Sequence, residues 1–417
     1  MKTKIFSWGK TSSKEVELIN NLNNTLTVLT YGNNNSYGDC SIPLGEFGLD
    51  PKFSEENNGF INPKITISNL INLNKSLFYG IPGRRSVTIG GALASDVHGK
   101  DSFWGGSFIN NIEKLKVLLP NNEIIECTRN KNPEVFYTTI GGYGLTGTIA
   151  SVKIKENTLG YSNNFTTKIY KGIGIESLLN RFSNNLNEYS VAWVDLINKN
   201  FPWVYEISKR NNSLQNEFTQ LPTEDTELSV SFPFIGTNKF KSMQVINKKF
   251  YNYQKDNYQK DKSLNEVLYP LGLLTDSRTM AKKRKIVQVQ FSIPLRYESS
   301  IDKLLELLTK DQFPIICSIK KTGKKETNLN LSFLQEGWTV AVDFPAENFN
   351  FKSIRNFYKL LISYDGKVYL AKDSTLNEEE FKLMYNNYPE WKKVVKKIDP
   401  ENKYQSELSN RLGLKSW

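Results

Sequence analysis

The chain has 417 residues, of which 39% are hydrophobic and 23% are charged, and its formal net charge is +11. This composition predicts two or three globular domains and excludes a disordered or fibrous chain. The sequence has no run of about 18 apolar residues, and residues 1–14 lack the apolar core of a secretory signal, which together predict a cytosolic protein. Three cysteines without a CxxC pair and a single histidine, His98, exclude a disulfide framework, a zinc site and any mechanism with two imidazoles, so no metal site is predicted.

The first predicted element is a strand over residues 25–30, and the polar loop YGNNNSYGD follows it at residues 31–39. Consecutive backbone N–H groups and short side chains in such a loop can surround a pyrophosphate without a lysine. Surface turns use the same residue types. This loop alone therefore does not distinguish a phosphate site from a solvent-exposed turn.

Glycine is concentrated in two windows, residues 83–106 and 141–147. Ten of the 26 glycines fall within these 31 residues, where an even distribution would place about two. The first window lacks both the GxGxxG pattern of a Rossmann site and the GxxxxGK[ST] pattern of a P-loop. Its small residues instead predict that a large planar ligand lies close to the backbone.

The middle of the chain alternates strand and helix patterns. A strand pair is predicted within residues 115–127 around a turn at residues 120–122, and another strand is predicted at residues 145–155. In the period-two segment IVQVQFSI at residues 286–293, Gln288 and Gln290 face a cleft or water if the apolar face is buried. Further elements are a helix at 299–308, a strand at 337–344 and a helix at 352–363.

Residues 201–261 contain one glycine and have a polar and aromatic composition, which predicts a different domain from the glycine-rich part. Within them, NYQKD occurs twice in tandem at residues 252–261, and we interpret this duplication as a mobile solvent loop in preference to a lid over a substrate. The tail from residue 378 has a helical pattern whose aromatic residues are expected to pack into a core.

Taken together, the motifs resemble the FAD-binding domain of the vanillyl-alcohol oxidase (PCMH-type) superfamily. In that domain a Gly-Gly pair precedes a small-residue helix and a His-Gly pair, as at Gly90-Gly91 and His98-Gly99, and a segment like GGYGLTG at residues 141–147 precedes a strand. The chain is similar to one branch in particular, the decaprenylphosphoryl-β-D-ribose 2-oxidase family. That similarity is carried by four ordered segments, SYGD at 36–39, residues 82–100, Gly337-Trp338 with VDFP at 342–345, and YLAKDS at 369–374.

The resemblance implies an α+β fold with a split FAD-binding domain, residues 1–158 and 367–417, and an antiparallel-sheet substrate domain inserted at residues 159–366. It also implies bound FAD, with the 31–39 and 82–91 loops at its pyrophosphate. The residues expected to contact FAD are Tyr31, Gly32, Asn33, Asn34, Asn35, Ser36, Tyr37, Gly38, Asp39, Gly83, Thr88, Ile89, Gly90, Gly91, His98, Gly99, Lys100, Asp101, Ile149 and Tyr369. Because Asp39 stands where related proteins that attach flavin covalently carry a histidine, the cofactor is expected to be non-covalent.

The same resemblance implies the roles of the reacting groups. Lys372, expected on a strand, is interpreted as a substrate anchor or an electrostatic stabiliser in preference to a base. His98 is expected to contact flavin or substrate and could also serve as the base. Tyr37 completes the catalytic candidates, and the substrate contacts are expected from Gln288, Gln290, Lys320 and Lys372.

Thr339 and Ala341 stand where better-known members of the family carry Asn and Cys, and Leu268 replaces an aromatic residue. These departures leave the sugar and the lipid carrier open.

Three functions are open at this stage. The first is FAD-dependent oxidation of the 2-hydroxyl of a polyprenyl-phosphate-linked pentose, the first half of an epimerisation relevant to cell-envelope polysaccharide, completed by a separate short-chain reductase. The second is oxidation of a soluble aldose, aldonolactone or sugar nucleotide. The third, motivated by the net charge of +11, is a basic non-enzymatic binding protein. Nucleic acid is not expected as a partner, and the positive charge is compatible with peripheral contact at the inner face of a membrane.

Overall fold

The computed structural model describes residues 2–22, 26–52, 59–156, 159–183, 188–211, 217–223, 239–269, 285–324, 326 and 328–417. The strands in these residues are β1 (Lys2–Phe6), β2 (Ser13–Ile19), β3 (Val28–Thr30), β4 (Phe47–Leu49), β5 (Phe60–Ile61), β6 (Ile112–Leu118), β7 (Ile124–Cys127), β8 (Thr148–Ile154), β9 (Asn164–Ile173), β10 (Tyr189–Val194), β11 (Pro202–Arg210), β12 (Tyr258–Ser263), β13 (Ile286–Pro294), β14 (Ile316–Thr322), β15 (Gly337–Pro345) and β16 (Lys367–Val368). The helices are α1 (Ile67–Asn74), α2 (Ile89–Ala94), α3 (Ser102–Gly105), α4 (Pro133–Thr139), α5 (Ile175–Ser183), α6 (Lys239–Tyr253), α7 (Leu264–Leu268), α8 (Ile301–Thr309), α9 (Ser353–Ser363), α10 (Glu378–Met384), α11 (Tyr388–Ile398) and α12 (Glu407–Arg411).

Two small sheets form the N-terminal part. The first has the strand order β1-β2-β4-β3, with β4 parallel to both of its neighbours. The second has the order β5-β8-β6-β7 and is antiparallel. The predicted strand pair around residues 120–122 is confirmed as β6 and β7, and the turn is closed by a hydrogen bond from the Asn122 amide to the Leu119 carbonyl at 3.0 Å.

A large antiparallel sheet occupies the middle of the chain, with the strand order β12-β9-β11-β10-β14-β15-β13-β16. The alternation predicted for residues 286–293 is confirmed in β13. Its Val287, Val289 and Phe291 side chains are buried in a core shared with α8 and α9, while Gln288 and Gln290 lie on the opposite face, at a cavity. The sheet therefore has one face in the hydrophobic core and one face at the candidate site.

The predicted helices after this strand are confirmed with small differences at their ends. Residues 299–308 form a 3₁₀ turn that leads into α8, and residues 352–363 form α9 one residue later than predicted. Leu304, Leu305, Phe357 and Leu361 are fully buried, as the spacing required. The mixture of helices and antiparallel sheets confirms the α+β class.

One expectation about residues 201–261 is wrong in the described parts, namely the loop predicted for the tandem repeat. β11 and β12 belong to the large antiparallel sheet together with β13–β15, and not to the two small N-terminal sheets. The second NYQKD copy forms most of β12, which pairs with β9 from Tyr258 to Ser263, and the first copy begins at the end of α6. Backbone hydrogen bonds to β9 outweigh the polar composition of the repeat. Residues 212–216 and 224–238 lie outside the described residues.

The C-terminal helices pack as predicted and return the chain to the N-terminal sheets. Trp391 is buried and its indole N–H donates to the carbonyl of Thr138 at 3.3 Å. Tyr404 forms a parallel bridge with Val28 next to β3. In the part of the chain that is described, no helix is long and apolar enough to cross a bilayer.

Candidate active site

A cavity of about 1080 Å³ lies where three distant parts of the chain meet. Its walls come from residues 29–37, residues 81–100 and residues 369–372, and the polar face of the large sheet adds a further wall. This volume is at the upper end of the range for small-molecule sites, so the cavity can hold a large cofactor together with part of a substrate.

The two early loops form one continuous wall. The side-chain amides of Asn33 and Asn35 both donate to the carbonyl of Ser86, at 2.8 and 2.9 Å. The Ser86 hydroxyl and the Arg84 Nε in turn donate to Asn35 Oδ1, at 3.0 and 3.1 Å. These bonds span about fifty residues of sequence and fix the positions of the polar groups that were predicted at a pyrophosphate.

Glycine is required at particular points of this wall. A Cβ added at Gly83 would meet no atom within 4 Å, which leaves the backbone there open to a ligand. A Cβ added at Gly38 would lie 1.6 Å from the backbone oxygen of Asp373, so only glycine permits the 31–39 loop to approach the 369–374 turn this closely. The Tyr37 amide crosses the same junction and donates to the Ala371 carbonyl at 3.1 Å.

The large sheet presents a row of cross-strand neighbours to the cavity. The register pairs Val204 with Trp193, Trp193 with Ser318, Ser318 with Ala341 and Ala341 with Gln290. All five residues line the cavity. The antiparallel register therefore brings side chains from five strands onto one surface, which no local sequence pattern could reveal.

His98 packs between two aromatic side chains, next to Gln290 at one end of this row. Its ring centroid is 5.5 Å from that of Phe333 and 5.3 Å from that of Tyr369, and its Nε2 is 3.0 Å from Gln290 Nε2. Burial and the positive charges of Lys320 and Lys372 lower the pKa of His98 well below its usual value, so the ring is neutral at pH 7. With the Gln290 amide as donor, Nε2 must accept and the ring proton resides on Nδ1, which has no partner among the described residues.

Lys372 lies in a turn after β16, where a strand was expected. Its amide donates to the Tyr369 carbonyl at 2.9 Å, and its Nζ is 4.0 Å from the ring centroid of Tyr37. Desolvation and the nearby Arg84 guanidinium, partly offset by Asp343, lower the pKa of Lys372 to about 7. The lysine can therefore exist as an ammonium or as a free amine near neutral pH.

Asp343 and Tyr37 complete the surroundings of Lys372. The Asp343 carboxylate is buried and accepts a hydrogen bond from Gln288 Nε2, and burial raises the pKa of this carboxyl to about 6. Burial, and then the Asp343 charge, raise the pKa of Tyr37 well above its usual value. The tyrosine hydroxyl therefore stays protonated, and Lys372 is the group here that titrates near pH 7.

Lys320 and Lys100 lie further along the cavity. The Lys320 Nζ donates to the Gly99 carbonyl at 3.2 Å, and Lys100 Nζ donates to the Val267 carbonyl. Desolvation lowers the pKa of Lys320 to about 8 and that of Lys100 to about 7. Asp101 is buried behind them, accepts from the Gly80 amide at 2.9 Å, and has a pKa raised to about 6 by burial.

Most of the residues named from the sequence meet at this one cavity. Those that line it are Tyr31, Gly32, Asn33, Asn34, Asn35, Ser36, Tyr37, Gly83, Thr88, Gly90, Gly91, His98, Gly99, Lys100, Ile149, Gln288, Gln290, Lys320, Tyr369 and Lys372.

Four of the named residues do not line the cavity. Ile89 is buried in the hydrophobic core, and Asp101 lies behind Lys320. Gly38 packs against the Asp373 backbone, and Asp39 is held by two hydrogen bonds from the guanidinium of Arg411, at 2.7 and 2.8 Å. These four positions shape the site from outside its surface.

Other polar residues at or near the cavity were not identified as site residues from the sequence. Arg84 lies in the 82–100 segment and Asp343 lies in VDFP, but neither motif predicts a role for them. Glu206 and Lys262 lie on strands β11 and β12, for which the sequence offered no signal, because their position depends on how the strands pair. Among the described residues there is no group of three His, Cys, Asp or Glu side chains that could hold a metal ion.

The residues present fit a flavin dinucleotide. The joined loops offer amides and short polar side chains at a glycine-lined wall, and the cavity is large enough for a second ligand beside the cofactor. The Nδ1 of His98 remains available for a ligand.

Comparisons with known proteins agree with this fit. The chain is 27% identical over 352 residues, 80% of this chain and 75% of the relative, to decaprenylphosphoryl-beta-D-ribose oxidase of Mycolicibacterium smegmatis. It is 35% identical over 68 residues, 16% of this chain and 14% of the relative, to cytokinin dehydrogenase 2 of Arabidopsis thaliana. An uncharacterised protein of Streptomyces coelicolor is 20% identical over 359 residues, 80% of this chain and 95% of its own length. No protein-family model matches the chain.

Proposed function

We propose that this FAD-dependent oxidoreductase, which is related to the FAD-binding oxidases, oxidises a secondary alcohol of a sugar. The substrate we propose is a polyprenyl-phosphate-linked pentose, oxidised at its 2-hydroxyl to a keto sugar. A separate short-chain reductase would then reduce the ketone and complete an epimerisation. The relationship to a decaprenylphosphoryl-ribose oxidase over most of the chain supports this substrate class.

The proposal rests on one observation: a single cavity, lined by the loops at residues 31–37 and 82–91, is also lined by the side chains of Lys372, His98, Gln290 and Lys320. Each of these side chains can donate a hydrogen bond to a sugar hydroxyl or carbonyl oxygen. A set of fixed polar groups in a partly apolar cavity is typical of a site that orients a polar substrate against a cofactor.

FAD would be held by the loops at residues 31–37 and 82–91 and would supply the acceptor for the hydride that leaves the carbinol carbon. Tyr369 and Ile149 would border it. The Asp39 carboxylate faces Arg411, away from the cavity lining, which supports a non-covalent cofactor.

We assign the hydroxyl proton of the substrate to the Lys372 amine. A pKa of about 7 matches this group to proton transfer near neutral pH, because a useful fraction is the free amine and the conjugate acid is still stable. His98 carries its ring proton on Nδ1 while Nε2 accepts from Gln290, so it serves as a hydrogen-bond donor to the substrate oxygen. The Lys372 ammonium that results from the proton transfer would supply positive charge to the flavin when it is bound.

The proposed domain division places residues 1–158 and 367–417 in the FAD-binding domain and residues 159–366 in the substrate domain. Contacts of the C-terminal residues with the N-terminal sheets support it, namely the bridges Val28 to Tyr404 and Pro43 to Ser406 and the ion pair of Arg411 with Asp39. The strand β16 continues into the large sheet and so connects the two proposed domains beside Lys372.

Thr339 and Ala341, where better-known members of the family carry Asn and Cys, are expected to affect which sugar the enzyme accepts. Ala341 lines the cavity, and Thr339 is buried with no partner for its hydroxyl among the described residues. A small side chain at 341 leaves more room beside Gln290 than a cysteine would. We therefore expect the enzyme to accept a substituent on the sugar that is larger than in members with cysteine there.

Two measurements test the function. A visible spectrum of the purified protein and of the supernatant after acid precipitation should show flavin that is wholly released into the supernatant. Anaerobic addition of polyprenyl-phosphate pentoses should then bleach the bound flavin, whereas unphosphorylated pentoses and sugar nucleotides should not. Bleaching by a soluble aldose or aldonolactone alone contradicts the lipid-linked assignment, and colourless protein that retains DNA in a salt-sensitive way contradicts the enzymatic one.

A further inference from the structure

A second group of charged residues lines the cavity on β11, β12, β14 and the loop after α2. We call Lys100, Lys262 and Lys320 the lysine cluster. Lys262 Nζ lies 2.8 Å from Glu206 Oε2, and the exposed fractions of the two side chains are only 7% and 26%. Lys100 and Lys320 are each tied to a backbone carbonyl, those of Val267 and Gly99.

The strand register fixes the spacing of this cluster. Glu206 pairs with Val191 across β11 and β10, and extending the pairing of β10 with β14 by one residue beyond Ala192 and Ile319 places Val191 opposite Lys320. With neighbouring strands about 4.8 Å apart, the Glu206 and Lys320 backbones are separated by roughly 10 Å. The Ser190 amide donates to the Lys100 carbonyl at 3.0 Å, which brings Lys100 to the same stretch of β10. The charges of Lys262 and Lys320 both act on Lys100, so the three ammonium groups lie within electrostatic reach of one another.

The charges of this cluster are unbalanced. Lys260 lines the cavity as well, so four lysines share this part of the wall with two carboxylates, Glu206 and Glu266, while Asp101 lies outside the lining. Desolvation, together with the charges of Lys262 and Lys320, lowers the pKa of Lys100, and Glu206 only partly offsets this. Desolvated ammonium groups that repel one another are stabilised by an anion placed between them.

We propose that the lysine cluster binds the phosphate group of the substrate and that this phosphate competes with Glu206 for Lys262. The inference rests on the proposed function and names the residues that hold the phosphate end of the substrate while its sugar lies at Lys372. The ligand class is a phosphate ester of a sugar, and lipid-linked and free sugar phosphates share this chemistry.

Aromatic side chains beside the cluster favour the lipid source. Trp193 and Phe250 also line the cavity, with ring centroids 4.8 Å apart, and Tyr253 lines its edge with 85% of its surface exposed. Such rings give an apolar path from the phosphate toward solvent, on which a prenyl chain can lie.

The proposal is tested by measuring the affinity of the FAD-loaded enzyme for farnesyl phosphate by titration calorimetry. Lys262→Met should weaken binding at least tenfold, because a charge-assisted hydrogen bond to the phosphate is lost. Glu206→Gln keeps the shape of the side chain and removes the competing negative charge, so it should tighten binding severalfold. Lys255→Met is the control, since it makes the same lysine-to-methionine change at a position outside the cavity lining. It should change affinity less than twofold.

Equal affinities in the wild type, Lys262→Met and Glu206→Gln overturn the proposal, and so does weaker binding in Glu206→Gln. The isosteric Glu206→Gln variant keeps the test decisive if Lys262→Met does not fold. Because farnesyl phosphate carries no sugar hydroxyl, the subsite can stand even where no sugar bleaches the flavin. Inorganic phosphate is titrated in parallel: much tighter binding of farnesyl phosphate supports a lipid-linked substrate, and equal affinities with the same pattern among the variants support a free sugar phosphate.

Discussion

The proposed proton transfer depends most on the ionisation of one side chain, Lys372. Its pKa is lowered to about 7 by desolvation and by Arg84, so the free amine predominates above that pH and the ammonium below it. If the amine accepts the hydroxyl proton, kcat/KM should rise with pH through about 7 and then level off. A pH–rate profile with a sugar substrate measures this.

The Lys372→Met variant provides the comparison. It should lose about 10²–10⁴ in kcat/KM, the usual contribution of a positioned acid or base, and the inflection near pH 7 should disappear. Its visible spectrum serves as the control, because flavin content should match that of the wild type. An unchanged inflection in this variant would remove Lys372 from the proton transfer.

The hydrogen bond between Gln290 and His98 should be visible in stability. Both side chains are buried, and their nitrogen atoms are 3.0 Å apart. Gln290→Leu leaves the histidine nitrogen without its partner and should lower the free energy of unfolding by about 1–3 kcal/mol. In the double variant Gln290→Leu/His98→Phe both partners are replaced by apolar groups, so part of that loss should be recovered. Urea unfolding of the wild type, Gln290→Leu, His98→Phe and the double variant measures this cycle, and simple additivity of the single effects would contradict the paired arrangement.

At the scale of elements, periodicity predicted strands and helices well where one face is buried. β13 and α8 have regular apolar spacings, and both were predicted within two residues at each end. β12 was predicted as a loop because its polar residues give no alternation, and its strand structure comes from pairing with β9. Elements held by long-range hydrogen bonds are thus the ones that local sequence cannot reveal.

The candidate site was predictable only in part for the same reason. Glycine-rich motifs and YLAKDS identify segments that approach a ligand, and these segments do line the cavity. Glu206, Lys262 and Trp193 come from strands with no motif, and only the sheet register brings them to the cavity. Asp39 belonged to a recognised motif, yet its carboxylate holds Arg411 in place.

Arg411 should connect the first loop to the Lys372 turn. Its guanidinium contacts Asp39 at 2.7 Å and Asp373 at 2.9 Å, and these carboxylate side chains are 8% and 0% exposed. Arg411→Met leaves two buried carboxylates without their cation and should lower the free energy of unfolding by about 3–5 kcal/mol.

The exposed pair of Lys382 with Glu378 is the matched control for this change, because both side chains are 47% exposed. Lys382→Met should alter stability by less than about 1 kcal/mol. Denaturant unfolding compares the two variants, with Arg411→Lys between them because it keeps the charge and loses the bidentate geometry. Equal effects of Arg411→Met and Lys382→Met would show that the first pair does not hold the loops together.

At the scale of the whole molecule, the site exists only because the chain returns to its beginning. The two early loops and the 369–372 turn are separated by almost three hundred residues, and the large sheet lies between them in sequence. A ligand that fills the cavity must therefore slow local opening in all three segments at once, because it stabilises the folded state in which they are together.

Hydrogen exchange of the flavin-free protein with and without added FAD measures this convergence most directly. We expect protection to rise together in three segments, residues 31–37, 82–91 and 369–372. The amides of α9, residues 353–363, lie outside the cavity lining and should change little. Protection confined to one of the three segments, or none upon addition of FAD, would contradict a single flavin site built from both ends of the chain.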